Sequence, residues 1–154
     1  MPTTLKTSTV VLGEKVYSSY MLSAGIVGFV GLLFHASWGT VESLSTSPAK
    51  LNFAPSSSTQ TRWTQLMCAF QLLSVDLGLS TALAFILVFT SWLEPKATLA
   101  YMLSLWNAAR ALVWLVQLMA LRRPLKDYVL LPQWLFFSIC SALCYGGAHQ
   151  LALP

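Results

Sequence analysis

Charge is what this chain has least of. Only five of its 154 residues are Asp or Glu and nine are Lys or Arg, where an ordinary soluble domain has about a quarter of its residues charged. So few charges cannot cover a water-facing surface, and 56% of the residues are hydrophobic, which excludes a soluble globular domain. The formal net charge of +4 is scattered along the chain rather than gathered in a stripe, so no nucleic-acid partner is expected. Catalytic signatures are missing too. There is no G-x-S-x-G elbow, no H-E-x-x-H, no aspartate-rich diphosphate motif, no glycine-rich phosphate loop and no pair of histidines one helical turn apart. Cys68, Cys140 and Cys144 have no zinc, disulfide-framework or haem-attachment spacing and fall inside apolar runs, as helix-packing cysteines do. No metal and no cofactor are expected.

What the chain does have is apolar length. Four stretches, 17–38, 63–93, 97–121 and 130–153, each reach the roughly 20 residues that about 30 Å of hydrocarbon requires. They predict an all-α, polytopic membrane four-helix bundle, with residues 1–154 forming a single membrane domain. The connections are consistent with this. The segment 43–61 is rich in Ser and Thr, contains Pro48 and Pro55, and reads as an extended loop. Glu94-Pro95-Lys96 reads as a tight turn, because proline cannot continue a helix interior and the flanking charges require water. The second and third helices then form an antiparallel hairpin. Arg122, Arg123, Pro124, Lys126 and Asp127 make the third connection, and Pro132 suits the first turn of the last helix.

The first and third loops hold Lys50, Arg62, Arg122, Arg123 and Lys126, against Lys6, Lys15 and Lys96 on the other face. That excess places the first and third loops in the cytosol. The run from Met21 to Phe34 has the length of a signal-peptide core, but it lies behind about 20 polar residues and lacks a small-x-small exit, so an uncleaved first helix is expected. The Thr- and Ser-rich N-terminus has an organelle-presequence composition except that it contains no Arg. An endoplasmic-reticulum membrane is the expected location.

At about 100° per residue, each helix carries one polar or small stripe. These are Ala24, Gly28, Gly31 and His35; Gln65, Leu72, Asp76 and Leu83; Leu103, Asn107, Arg110, Trp114 and Gln117; and Ser138, Ala142, Tyr145 and His149. Polar groups facing acyl chains have no partner, so the stripes are expected to turn inward and line the interior with His35, Gln65, Asp76, Asn107, Arg110, Gln117, Tyr145 and His149. Asp76 and Arg110 carry the greatest cost. Each lies near the middle of a span, where an ionisable side chain costs roughly 2.5 to 3.5 kcal/mol. Asp76 lies 19 residues before Pro95 and Arg110 lies 15 after it, so their heights differ by four residues, about 6 Å. An arginine side chain spans that distance. Two readings stand: a buried ion pair that fixes helix register, or a catalytic pair in which Arg110 orients a carbonyl, enolate or carboxylate while Asp76 holds Arg110 or moves a proton. On the second reading His35, Gln65, Asn107, Trp114, Gln117 and Tyr145 are the ligand-binding candidates, with Trp114 walling an apolar pocket.

The stretch from Gln65-Leu66-Met67 through Val75-Asp76-Leu77-Gly78-Leu79, then an apolar helix, a short turn and a helix with Asn107 to Arg110, resembles small DoxX-like four-helix membrane proteins over about 60 residues. Some of these accompany pathways that make lipophilic secondary metabolites. The layout is also similar to a sterol-pathway scaffold whose four helices tether enzymes. Neither resemblance brings a catalytic residue with it. The function expected is to act on or hold a lipophilic small molecule in a terpenoid, polyketide or sterol-like pathway, as a cofactor-free isomerase or cyclase whose partners are membrane lipid, that ligand and other membrane enzymes. The alternative is a non-catalytic scaffold or accessory subunit of a membrane enzyme or organellar electron-transfer complex.

If Asp76 and Arg110 are coupled, removing either leaves an uncompensated charge. Asp76→Asn and Arg110→Met are each expected to destabilise by roughly 3 to 5 kcal/mol, and the double change by less than the sum. Additive losses in detergent melting would refute the coupling.

Overall fold

A computed structural model describes residues 10–12, 15–48, 57–130 and 132–152. Residues 1–9, with the presequence-like Thr and Ser, and 49–56, with Lys50 and Pro55 of the first loop, lie outside the described residues. Among the described residues the regular structure is helical apart from a short antiparallel ribbon that hydropathy did not predict, β1 (Val10–Leu12) with β2 (Lys15–Tyr17), pairing Val11 with Val16. Two short runs with strand-favouring Val10, Val11, Val16 and Tyr17 lie on either side of Gly13-Glu14, which is the composition of a hairpin. The helices are α1 (Ser19–Phe34), a π-helical segment (His35–Gly39), α2 (Thr40–Ser45), α3 (Ser57–Phe89), α4 (Lys96–Ala120), α5 (Leu125–Leu130) and α6 (Gln133–Ala152).

Among the described residues three helices are long and apolar enough to cross a membrane: Ser19–Ser45, Ser58–Phe89 and Lys96–Ala120. They fit a membrane protein, and so does their outer surface. On α4 alone, Met102, Leu105, Leu112, Val116 and Met119 all point out of the protein, a pattern that solvent would not tolerate over such an area. The fourth expected crossing is not among these three. At 20 residues α6 has the length, about 30 Å, but Gln133, Ser138, Ser141, His149 and Gln150 dilute its apolar content.

Boundaries differ from the sequence expectation for local reasons. The first helix runs past Trp38 to Ser45 by way of the π segment, and α3 begins at Ser57, earlier than the expected position 63. At 33 residues α3 is about 50 Å long, so its polar first turns, Ser57 to Gln65, exceed what the hydrocarbon accommodates. It ends at Phe89, before the bend at 90–95. There the Lys96 amide donates to the Glu94 carboxylate (3.2 Å), and the Glu94–Pro95 peptide is cis. The C-terminus of α4 is closed by a Schellman arrangement: the Arg123 amide donates to the Leu118 carbonyl and the Arg122 amide to that of Met119, both at 3.0 Å. Arg122 takes the left-handed conformation, φ 50°, where glycine is usual, at a cost of about 1 kcal/mol. Pro124 then starts α5, a turn and a half of helix in what read as a bare connection.

Contacts group the chain into two compact units: the part up to Val27 together with everything from Ala82 onward, and Gly28–Thr81. In the first, the buried cluster draws on α1 (Met21, Ala24), the end of α3 (Ala84, Leu87, Val88), α4 (Ala100, Leu103) and α6 (Cys144, Ala148). Ser18 caps α1, accepting from the Met21 amide (3.3 Å) and donating to the Gln150 carboxamide (2.8 Å). Ser104 donates across to the Ser141 carbonyl at 2.9 Å, joining α4 to α6. In the Gly28–Thr81 unit, His35 stacks on Phe70 with ring centroids 4.1 Å apart. A Cβ at Gly28 would meet the Thr81 hydroxyl at 2.7 Å, and one at Gly39 would meet the Phe70 ring at 2.8 Å.

A Cβ at Gly147 would overlap the Met21 side chain and come within 3.2 Å of its backbone nitrogen, whereas one at Gly78 would sit 3.9 Å from Leu32. Gly147→Ala is therefore expected to destabilise by about 1 to 3 kcal/mol, while Gly78→Ala is neutral or stabilising by up to about 1 kcal/mol. Thermal melting in detergent checks the contrast, and equal effects at the two positions would contradict it.

Candidate functional site

The site is built on the face that α4 turns toward α6. Its buried residues are Ala100, Leu103, Ser104, Asn107, Ala111 and Leu118. Their mean direction is rotated by about 60° from the stripe of Leu103, Asn107, Arg110, Trp114 and Gln117 read from polarity. Small residues take the centre because they let the helix axes come close. The consequence is that Gln117, about 100° from the packing direction, is exposed, while Arg110 is half-buried at the edge of the interface.

At that edge Arg110 is held on several sides. Its Nη1 donates to the Asn107 side-chain carbonyl at 3.2 Å, and the Asn107 amide group donates to the Leu103 carbonyl at 2.9 Å. Asn107 is buried, so both ends of its carboxamide are used where an unmet one would be costly. The guanidinium carbon lies 5.3 Å from the Trp106 ring centroid and 5.4 Å from that of Phe137. Trp106 stands one turn earlier on α4, and Phe137, buried, comes from α6. Arginine is suited to this clamp because its planar, weakly hydrated cation stacks on ring faces and still presents an edge of parallel N–H donors. Two aromatic faces and an amide oxygen replace part of the hydration that the charge would otherwise lose.

The other candidates lie elsewhere. Trp114 is half-buried one turn beyond Arg110, but the rings over which the guanidinium lies belong to Trp106 and Phe137. Tyr145 is exposed and forms a group with Tyr101 (ring centroids 5.6 Å apart) and His149 (5.0 Å), its hydroxyl 3.3 Å from a His149 ring nitrogen. That corrects the expected inward stripe of α6. Phe137, Cys140, Cys144, Gly147 and Ala148 are buried instead, about 130° around the helix from Tyr145 and His149. Cys140 and Cys144 pack as expected, whereas Cys68 is exposed. Gln65 is also exposed, on the polar first turns of α3, and does not line an interior. His35 belongs to the π segment, where its Nε2 is 3.3 Å from the Phe70 carbonyl. Such segments recur at functional positions. Asp76 is half-buried in α3, and its backbone carbonyl accepts from the Ser80 hydroxyl at 2.8 Å. His35, Gln65 and Asp76 belong to the Gly28–Thr81 unit, and Asn107, Arg110, Trp114, Gln117 and Tyr145 to the other.

Sequence reasoning missed Trp106 and Phe137. Trp106 was accessible in principle, since it precedes Arg110 by four residues and i, i+4 side chains meet on a helix. Nothing in the sequence pairs Phe137 with Arg110. The chain matches no protein-family model, no curated protein and no solved structure.

The clamp has a measurable energy. Phe137→Leu is expected to cost about 0.5 to 2 kcal/mol more in the presence of Arg110 than in an Arg110→Met background, the difference being the cation–π contribution. A double-mutant cycle in detergent gives that number, and a coupling of zero would mean that the ring only fills space.

Proposed function

We propose that this is a small integral membrane protein that holds a lipophilic small molecule by an oxygen-bearing group at Arg110. The observation that carries this is the position of the guanidinium, gripped between Trp106 and Phe137 and hydrogen-bonded by Asn107. A cation kept at such depth is expensive, and a planar donor edge set among apolar surfaces matches a carboxylate, enolate or carbonyl on a hydrophobic skeleton. The chemistry consistent with that is cofactor-free isomerisation or cyclisation in the biosynthesis of a terpenoid, polyketide or sterol-like metabolite, in an endoplasmic-reticulum membrane. Asp76 is assigned the proton-moving role on its sequence depth alone. We take α6 as the fourth crossing, since its 20 residues match the hydrocarbon thickness. The resemblance of the 65–110 stretch to small DoxX-like membrane proteins supports the same choice of pathway.

One observation favours the second reading, a scaffold or accessory subunit. Tyr101, Tyr145 and His149 form a preassembled aromatic group whose Tyr145 and His149 face outward, a composition common where partner proteins dock.

The two readings separate on the small molecules that accompany the full-length protein purified from its own cells. Solvent extraction and mass spectrometry are expected to find an oxygen-bearing lipophile with the wild type. With Arg110→Lys, which keeps the charge but loses the planar two-point donor edge, retention should fall at least about tenfold while the protein still accumulates. Unchanged retention, together with normal product in the cells, would favour the scaffold.

A further inference from the structure

The corner where α4 passes into α5 lies apart from the Arg110 clamp and has three features of its own. First, α5 is held firmly for a helix of six residues. Asp127, only 5% exposed, pairs with Arg123, whose Nε donates to it at 2.6 Å, and the Trp134 indole N–H donates to the Tyr128 carbonyl at 2.8 Å. A buried carboxylate on one side and an indole on the other fix which face of α5 points outward. Second, that face is apolar. Leu125 and Val129 are 85% and 78% exposed, and Leu121 and Leu130 flank them at 71% and 70%. Third, cations stand among these side chains: Arg122 and Lys126 are exposed, while the charge of Arg123 is matched by Asp127. Arg122 occupies a left-handed position that glycine fills without strain, so the chain keeps a long cation there against its backbone preference.

Apolar side chains beside exposed cations that pair with no carboxylate among the described residues, on a short helix just past the end of a membrane-length helix, match the chemistry of the headgroup boundary. We propose that the α4–α5 corner is a binding site for an anionic phospholipid of the surrounding leaflet, with Arg122 and Lys126 on the phosphate and Leu121, Leu125 and Val129 against the first acyl carbons. The net charge of the corner is positive by two, complementary to such a headgroup. The charge distribution of the loops assigns this face to the cytosol, where anionic lipids are concentrated. Tyr128 and Trp134 place aromatic rings at the same level, as interfacial belts do.

The test uses the full-length protein in phosphatidylcholine vesicles containing a trace of spin-labelled phosphatidylserine or spin-labelled phosphatidylcholine, reading the motionally restricted fraction. The wild type is expected to favour phosphatidylserine by about fivefold or more. Arg122→Gln with Lys126→Gln should bring the two lipids to parity, and Lys96→Gln, at the other end of α4, should leave the preference in place. The preference of the wild type should also collapse between about 0.01 and 1 M salt as screening shortens from about 30 to about 3 Å. This second measurement decides the matter if the double variant does not accumulate. Equal association of both lipids with the wild type, a preference that survives the double change, or one indifferent to salt would each overturn the proposal.

Discussion

The close approach of α4 and α6 is the constraint from which the site follows. Ala100, Ser104 and Ala111 on one helix and Cys144 and Ala148 on the other are small enough to bring the backbones together. The Ser104–Ser141 hydrogen bond then ties the pair. Apolar surface alone gives helices in lipid no preferred rotation, because acyl chains are as apolar as leucine. Size and one polar contact therefore decide which way each helix faces. Once that rotation is set, Arg110 falls at the edge of the interface rather than at its centre, Phe137 comes under its guanidinium, and Tyr145 and His149 are carried to the outside.

Position at the edge changes what Arg110 can do. Its guanidinium is held by Asn107 and by two rings and stays half-buried rather than sealed at the centre of the helix pair. The energetic logic is shared with the α4–α5 corner. There too, a charge that has to stay in place, Asp127, is buried with a partner and used to orient neighbouring groups that remain accessible. In both places a hydrogen-bonded or paired polar residue fixes the position of its neighbours.

The amino-acid sequence by itself determined where the helices of this protein lie and which medium surrounds them. Length, apolar content and the scarcity of charge require membrane-length helices, and these correspond to Ser19–Ser45, Ser58–Phe89 and Lys96–Ala120. Pro95 and Pro124 mark helix starts, where a missing N–H is harmless, and the structure starts α4 at Lys96 and α5 at Leu125 accordingly. Arg110 was legible as a candidate because an unsupported charge in an apolar run is too costly to be incidental. Tertiary structure alone decided the rotation of α4 and α6, the aromatic clamp completed by Phe137, the stacking of His35 on Phe70 and the fixed face of α5. Polarity misplaced Gln117, Tyr145 and His149 because an angular stripe ranks side chains by hydration, whereas helices in contact are ranked by how closely their backbones can pack, and that depends on both partners at once.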